Sequence, residues 1–416
     1  MPANTITRRR HLHAMLLALG QAAVSRQARA ANQKVAYGQN TIPEGIRSRF
    51  IENVNGLRVH MLEAGFDPPT RPCILLLHGF PELAFSWRKI MLPLAAAGYH
   101  VVAPDQRGYG RTTGWDSSYD ADLGPFSTLN TVRDALALVS ALGYKSVAGV
   151  FGHDMGSPEA AWCALARPDV FRSVVMMSAP FGGPPSLPFN TANDPAGARS
   201  SAPASDLDRE LAALPRPRKY YQSYYRTRAA DANMSHCPQG LHAFFRAYYY
   251  YKSADWKGNQ PHPLKARSAA EMAQMPTYYV MDLDKGMCET VAAVMPSAAE
   301  IAACKWLTED EVAVYASEYG RTGFQGALDG YRRGADPKLN AELLTFSGRT
   351  IDVPSCFIAG KSDWGVYQTA GALDRMQHTA CTKMTGVHLV EGAGHWVQQE
   401  QPEQVSKLLL EFLHST

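Results

Sequence analysis

The stretch Ser146-Val147-Ala148-Gly149-Val150-Phe151-Gly152-His153-Asp154-Met155-Gly156 carries an apolar run directly into a turn in which an aspartate stands between two glycines. The pattern that follows Gly156 is helical, so the turn is predicted to join a buried strand to a helix. Glycine on both sides lets neighbouring backbone approach more closely than a side chain would allow. We therefore expect Asp154 to be held at the carboxyl end of a strand, where open α/β sheets place their sites.

Short apolar runs alternate with helical segments on both sides of this turn. The other runs are Cys73–Leu77, His100–Ala103, Ser173–Met177, Val353–Ala359 and His388–Val390, and the clearest helices are Ser86–Ala97, Thr128–Leu142 and Pro402–His414. An Asn55-Gly56 pair between Arg49–Val54 and Leu57–Glu63 adds a hairpin at the start. This alternation predicts an α/β fold with a mainly parallel sheet covered by helices on both faces.

The alternation is interrupted in the middle of the chain. Residues 184–206 are rich in Pro, Ser, Ala and Asn and predict a long surface loop. Helical signals alone follow from Leu207 to Leu344, among them a capping box of Thr308 and Glu311. We therefore predict an all-helical cap inserted into the α/β core. The first core part is 48–183, the cap with its linker is 184–350, and the second core part is 351–416.

The amino terminus has the layout of an export signal. Arg8-Arg9-Arg10 precedes the apolar run Ala14–Val24, and Ala28-Arg29-Ala30 offers a small-residue cleavage site. The paired arginines are typical of a twin-arginine signal, which serves proteins exported in the folded state. The alternative is a short amphipathic helix with a basic flank. Residues 1–30 are thus predicted to be a signal peptide, and the mature protein to be periplasmic or secreted.

Net charge and hydropathy argue against a nucleic-acid-binding protein and against a protein with an ordinary transmembrane helix. The 416 residues contain 41 Lys and Arg against 38 Asp and Glu, a formal charge of +3 that is too small to indicate nucleic-acid binding. Residues 1–30 hold five of the arginines and no acid, so the remainder has 36 basic and 38 acidic residues, a formal charge of −2. No apolar stretch reaches the length of an ordinary transmembrane helix.

Seven cysteines are scattered without a C-x-x-C pair, which makes a zinc site unexpected. An oxidising compartment would permit a disulfide, with Cys288–Cys304 or Cys356–Cys381 as candidates. Packing as small buried hydrophobic side chains is the default expectation.

The residues at three strand ends form a plausible catalytic set. A carboxylate at position 154 can attack an electrophilic carbon and form an ester, which water must then open with the help of a general base. Gly392-Ala393-Gly394 precedes His395, and Gly360-Lys361-Ser362 precedes Asp363 after another strand; Asp352 and Asp374 lie close to Asp363 in sequence but follow no strand end so directly. The order nucleophile, acid, histidine is that of α/β-hydrolases.

An oxyanion hole is expected next to the nucleophile. The segment His78–Glu82 follows the first buried strand, from which such folds donate a backbone N–H. The two donors are predicted to be the amides of Phe80 and Met155. His78, His153 and Arg107 are interpreted as structural residues that fix loops around the site.

The chain from about residue 48 onward resembles the epoxide hydrolases with an α/β-hydrolase fold. The shared motifs are His78–Glu82, Ser86–Arg88, Asp105–Gly110 and the aspartate turn at Gly152–Gly156. The resemblance implies hydrolysis of an epoxide to a vicinal diol without a metal or cofactor. It implies a small apolar or aromatic epoxide as substrate, with water as the second reactant.

The same resemblance implies two tyrosines that hold the epoxide oxygen. Family segments match Tyr221–Tyr225 and Gly323–Arg332, which assigns Tyr221 and Tyr331 to this role, although other tyrosines crowd around Tyr221. A phenol is a suitable neutral proton donor for the opening oxygen. The family often has Trp after the nucleophile, where this chain has Met155, so the pocket floor is expected to be less aromatic and wider. The aromatic run Phe244–Tyr251 is interpreted mainly as cap packing.

Two other functions fit the same residues. A haloalkane or haloacid dehalogenase uses the same Asp–His–Asp set, although a halide needs N–H donors rather than phenols. A non-catalytic small-molecule binding protein on the same fold is the alternative outside enzymes, although every catalytic position holds a competent residue.

Overall fold

The computed structural model describes residues 37–38, 41–187 and 207–416. The predicted signal peptide, residues 1–30, lies outside the described residues. Most of the predicted linker, residues 188–206, also lies outside them. Residues 43–416 form one compact unit.

One eight-stranded sheet forms the core. Its strands within the first half of the chain are β1 (Ile46–Val54), β2 (Leu57–Ala64), β3 (Cys73–Leu77), β4 (His100–Pro104), β5 (Gly149–His153) and β6 (Val174–Met177). The last two are β9 (Ser355–Gly360) and β10 (Met384–Val390), and the spatial order is β1-β2-β4-β3-β5-β6-β9-β10. β1, β2 and β4 pair antiparallel and all later neighbours pair parallel, which confirms the predicted fold class and the hairpin at Asn55-Gly56.

Helices cover both faces of this sheet. They are α1 (Arg88–Ala96), α2 (Thr128–Ala141) and α3 (Gly156–Ala166) before the cap, and α14 (Ala372–Arg375), α15 (Val397–Glu400) and α16 (Pro402–His414) after it. Short 3-10 turns span Ala84–Trp87, Gly124–Phe126, Glu342–Phe346 and Trp364–Val366, and a π-helical turn spans Met376–Ala380. Strands β3 and β5 are buried along their whole length, as expected for central strands of a sheet covered on both faces.

The boundaries of the strand before Asp154 differ from the prediction. The apolar run predicts a strand over Ser146–Phe151, but β5 begins at Gly149 and continues through Gly152 and His153. Its pairing explains the shift, because Gly152 lies opposite Leu77 and His153 opposite Met177. Glycine and histidine continue the ladder through their backbone although they lack the apolar signature of a strand.

The cap comprises the segments between β6 and β9. Its helices are α4 (Leu207–Ala212), α5 (Tyr221–Tyr225), α6 (Ala229–Ser235), α7 (Gly240–Lys252), α8 (Ala269–Met272), α9 (Met287–Ala292), α10 (Ala298–Ala303), α11 (Glu309–Thr322), α12 (Gln325–Arg333) and α13 (Pro337–Ala341). The capping box at Thr308 and Glu311 is confirmed at the start of α11. The prediction of an all-helical cap is wrong in one detail, since β7 (Arg218–Tyr220) and β8 (Val280–Asp282) pair as an antiparallel ribbon. Three-residue strands are too short to show an alternating pattern in sequence.

The two cysteine pairs considered from sequence are also wrong. Cys237 and Cys288 form the disulfide, with Cα atoms 5.6 Å apart, while Cys304, Cys356 and Cys381 are free. The bond joins the segment after α6 to the first turn of α9, two helices that pack together in the cap. Sequence spacing carries no information on that packing. None of the helices within the described part of the chain combines the length and apolar character needed to cross a bilayer.

Candidate active site

Asp154 sits on the sharp turn between β5 and α3. Its backbone φ is +51°, in the left-handed region that residues other than glycine rarely adopt. A Cβ at Gly152 would overlap the carbonyl group of Gly156, and a Cβ at Gly156 would overlap the carbonyl group of Leu77. Both glycines are therefore required by close backbone approach, and Asp154 projects from the carboxyl end of the central strand.

The Asp154 carboxylate faces two partners from separate loops. The backbone N–H of Phe80 donates to Oδ1 at 2.9 Å, as predicted for an oxyanion-hole donor. His395 Nε2 lies 3.4 Å from Oδ2. Burial raises the pKa of Asp154, but the hydrogen bond and charge of His395, with the charges of Lys252 and His153, hold it below its usual range. The carboxylate is thus ionised and available as a nucleophile.

His395 is oriented from behind by Asp363. Its Nδ1 lies 3.1 Å from Asp363 Oδ1, and Ser178 Oγ lies 3.0 Å from the same nitrogen. Asp363 Oδ1 also accepts from the N–H of Gly365 at 2.7 Å. Burial raises the pKa of Asp363, and the charge and hydrogen bond of His395 lower it below its usual range. The structure thus brings the three residues of the predicted triad together, and it adds Ser178, which no motif had indicated.

His395 Nε2 and Asp363 Oδ2 are buried atoms that form no hydrogen bond of good geometry with the described residues, and Nε2 has only the 3.4 Å contact with Asp154 Oδ2. His395 itself is 1% exposed. A buried polar atom is normally satisfied by protein or by ordered water. From this buried position Nε2 faces the Asp154 carboxylate, where it can exchange a proton with a group bound beside that carboxylate.

The two predicted tyrosines belong to the cap and pack close to the Phe80 loop. The Tyr331 ring meets the Phe80 ring edge-on with centroids 5.5 Å apart, and the Tyr221 ring lies 6.0 Å from that of Tyr331. The Tyr221 hydroxyl oxygen accepts from the side-chain amides of Gln222 and Gln368 at 3.1 and 3.0 Å, which leaves its own proton free. Burial raises the pKa of both tyrosines, and the nearby charge of Asp154 contributes. Both phenols are therefore protonated donors.

The neighbouring tyrosines have other partners. Tyr224 donates to Asn233 Oδ1, and the Tyr225 and Tyr248 hydroxyl groups lie 3.2 Å apart. Asp154 contributes to the raised pKa of Tyr221 but not to that of Tyr220, for which burial is the main cause. These contacts favour Tyr221 among the crowded residues.

The residue after the nucleophile, Met155, precedes the first turn of α3. Its side chain lines a cavity of about 50 Å³, together with Tyr109, Glu159, Gly330 and Arg333. Asp154 is not among the residues that line this cavity. The predicted hydrogen-bond role of the Met155 amide stays a prediction.

A buried ion pair ties the loops of the site together. His153 Nδ1 lies 2.6 Å from Glu82 Oε2, and His153 Nε2 lies 2.7 Å from the carbonyl oxygen of His395. Both ring nitrogens face acceptors, so His153 must donate from both and carry a positive charge. Burial lowers the pKa of His153, whereas Glu82 raises it enough to leave it above the usual range. His153 thus fixes loops around the site, as predicted, and its buried partner is Glu82, which no motif in the sequence indicates.

The loop that carries His395 is also bound to the cap. The N–H of His395 donates to the carbonyl oxygen of Lys252, at the end of α7, at 2.9 Å. Glu400 accepts from the backbone N–H groups of Gly394 and Trp396 on this loop and from that of Ala254 in the cap. Cap and core therefore hold the histidine loop jointly, an arrangement for which the sequence contains no recognisable motif.

Comparison with known proteins gives one consistent result. Residues 72–402 match the sequence family described as alpha/beta hydrolase fold. The chain is 31% identical over 369 residues to epoxide hydrolase B of Mycobacterium tuberculosis, covering 87% of this chain and 97% of that protein. It is 30% identical over 361 residues to an epoxide hydrolase of Caballeronia sordidicola, covering 87% and 92%. A solved structure of an epoxide hydrolase from an endophytic Streptomyces superposes with a TM-score of 0.68 at 30% identity, covering 89% of this chain and 96% of that one.

Proposed function

We propose a covalent two-step reaction for this chain, from the premise that it belongs to the alpha/beta hydrolase fold family and, within it, to the epoxide hydrolases. As an epoxide hydrolase it adds water to an epoxide and releases a vicinal diol. The family assignment also decides against a non-catalytic binding protein.

In the first step Asp154 attacks one carbon of the epoxide. A bond forms between a carboxylate oxygen and that carbon, the carbon–oxygen bond of the ring breaks, and the released oxygen takes a proton from Tyr221 or Tyr331. The protonated state of both phenols supports this role, since each is buried with a raised pKa. The product of this step is an ester between Asp154 and the half-opened substrate.

In the second step water opens the ester. His395 takes a proton from water, and the water oxygen bonds to the carboxyl carbon of Asp154. The negative charge that develops on the carboxyl group is stabilised by the Phe80 N–H, which already contacts Oδ1. The ester bond then breaks, and the leaving alkoxide takes the proton held by His395 to complete the diol. The remaining water proton, on the new Asp154 carboxyl group, passes to the tyrosinate, which restores Asp154, His395 and the tyrosine. Asp363 keeps the imidazole oriented throughout.

The observation that carries the proposal is the position of the Asp154 carboxylate, with the Phe80 N–H on one oxygen and His395 Nε2 beside the other. The experiment is single-turnover incubation with styrene oxide, followed by intact mass measurement. His395→Gln should accumulate an adduct with the mass of the epoxide, and Asp154→Ala should form none. A His395→Gln variant that turns over at the wild-type rate would refute the assignment. Haloalkanes matched to the epoxide, used in the same assay, test for dehalogenase activity through halide release. We expect no release, because a halide needs N–H donors and the two tyrosines supply phenols.

We also propose that the protein is exported through the leader at residues 1–30. The support is the arrangement of its arginines, its apolar run and its small-residue site. Cell fractionation of the full chain should recover the mature enzyme outside the cytoplasm. Replacing Arg8, Arg9 and Arg10 by lysine should retain it inside, and unchanged export would count against the twin-arginine route.

A further inference from the structure

Lys252 is a buried cation that the proposed reaction does not use. It is the last residue of α7 and is 3% exposed. Its Nζ lies among four aromatic rings, which we call the aromatic cage: the centroid distances are 4.9 Å to Tyr279, 5.3 Å to Trp396, 5.5 Å to Tyr248 and 5.9 Å to Tyr278. Within the described ranges its Nζ forms neither a hydrogen bond nor an ion pair with another residue.

The aromatic cage favours the charged form of this lysine. Ring faces carry partial negative charge and attract an ammonium group, most strongly where water is excluded. Burial lowers the pKa of Lys252 below its usual range, and the carboxylates of Asp154, Asp363 and Glu82 oppose part of that shift, with Asp154 the strongest of them. The rings thus hold a positive charge that no carboxylate neutralises by direct contact.

This charge lies close to the reacting groups. The carbonyl oxygen of Lys252 accepts the N–H of His395, so the residue is fixed beside the histidine loop. The Tyr279 ring of the aromatic cage is 5.1 Å from the ring of Tyr221, on the cap side of the site. Lys252 is also among the groups whose charge stabilises ionised Asp154.

We propose that Lys252 is a positioning residue for the second step, whose fixed charge drives the Asp154 ester towards hydrolysis. This inference rests on the proposed covalent reaction. The Asp154 carboxyl is negative in the free enzyme, neutral in the ester, and negative again in the tetrahedral intermediate formed when water adds. A fixed positive charge therefore raises the energy of the ester relative to both states that flank it.

The two steps respond differently to this charge. In ester formation, negative charge moves away from Asp154 to the epoxide oxygen, where the tyrosines neutralise it, so Lys252 does not accelerate that step. In ester hydrolysis, negative charge returns to the Asp154 carboxyl as the water oxygen bonds to its carbon and His395 takes the proton. Lys252 then stabilises the developing charge through space, in addition to the Phe80 N–H.

The test is the partition between the two steps in Lys252→Met and Lys252→Gln, measured by rapid quenching and intact mass with styrene oxide. Neutral side chains should slow ester hydrolysis about 10- to 100-fold and change ester formation by less than about threefold. The esterified fraction at steady state should rise accordingly, with kcat falling while kcat/KM stays near that of the wild type. Lys252→Arg, which keeps the charge, should recover most of the hydrolysis rate.

A lysine of the same cap outside the site is the matched control. Lys219 lies 5.3 Å from the Tyr224 ring and donates to the carbonyl oxygen of Leu283, and its charge is not coupled to the triad. Lys219→Met should leave both rates unchanged. Equal slowing of both steps in the Lys252 variants, or of neither, would overturn the inference. Absence of any adduct in His395→Gln would instead refute the covalent reaction itself.

Discussion

Replacing Glu82 by glutamine should strongly destabilise the protein, because the carboxylate accepts from four donors at a fully buried position. Oε2 accepts from His153 Nδ1 at 2.6 Å and from the N–H of Gly79 at 3.1 Å. Oε1 accepts from the side-chain amides of Gln398 and Gln399 at 2.9 and 3.2 Å. Whichever oxygen becomes the NH2 group, two donors lose their acceptor.

The size of the effect follows from those contacts. A buried donor left without a partner costs about 1–3 kcal/mol, and breaking a buried ion pair costs about 3–5 kcal/mol. We therefore expect Glu82→Gln to lower the free energy of unfolding by about 3–5 kcal/mol. For a chain of this size that corresponds to a fall of about 3–6 °C in the thermal midpoint.

The pH dependence gives a second, independent readout. The pKa of His153 is raised in the folded state, so its contribution is present below its unfolded value and is lost as pH rises through the folded one. The pKa of Glu82 is lowered, so its contribution is present above its unfolded value and is lost as pH falls through the folded one. The difference between wild type and variant should thus be largest between the unfolded pKa values of the two groups, about 4.3 for Glu and about 6.5 for His, and should shrink as the pH rises or falls beyond that window.

The assay is calorimetry or denaturant unfolding of both proteins across pH 4–9. Asp169→Asn, which breaks the exposed pair with Arg167, is the control and should leave the midpoint unchanged. A loss below about 1 kcal/mol for Glu82→Gln, or a difference that does not vary with pH, would refute the charged pair.

Three further predictions follow from the same contacts. Tyr221→Phe and Tyr331→Phe should each slow ester formation roughly 10- to 100-fold, because each phenol supplies a proton donor, and the double variant should be slower than either single variant. Tyr224→Phe is the control, since the Tyr224 hydroxyl donates to Asn233. An equal slowing in Tyr224→Phe would contradict the assignment. Asp363→Asn should slow ester hydrolysis by roughly 1,000-fold or more while the ester still forms, because His395 loses the acceptor that fixes its tautomer. Quenched-flow mass measurement gives both rates, and ester hydrolysis at the wild-type rate would remove Asp363 from the triad. Cys288→Ala should lower the free energy of unfolding of the oxidised protein by about 4 kcal/mol, given the 51-residue separation from Cys237. A denaturation curve that neither the substitution nor a reductant changes would argue against the disulfide.

The sequence was sufficient to predict the core and the loops that bring Asp154, Asp363 and His395 together. Strand runs such as Cys73–Leu77 are apolar throughout because both faces of the sheet are covered, and the glycines around Asp154 are required by contacts that no other residue could make. The residues that follow strand ends were therefore placed together correctly. Those features depend on local pattern and on the rule that parallel strands end at one edge.

The features missed from sequence depend on packing between distant segments. The ribbon of β7 and β8 joins three-residue strands about 60 positions apart, and the disulfide joins cysteines brought together by two cap helices. Lys252 follows an aromatic run that was interpreted as packing, which is correct for most of its rings. The charge that those rings surround has no signature in the sequence.

Hydrogen bonds from both the cap and the core fix the histidine loop, and this limits how such caps can diverge between related enzymes. A lid attached only through its two linkers could be exchanged between related enzymes as a cassette, with substrate preference transferred alone. Here the carbonyl of Lys252 and the N–H of Ala254 hydrogen-bond directly to the histidine loop and to Glu400. A grafted cap that failed to present these groups would misplace the His395 loop, so a functional chimaera should take residues 252–254 and 394–400 from the same parent.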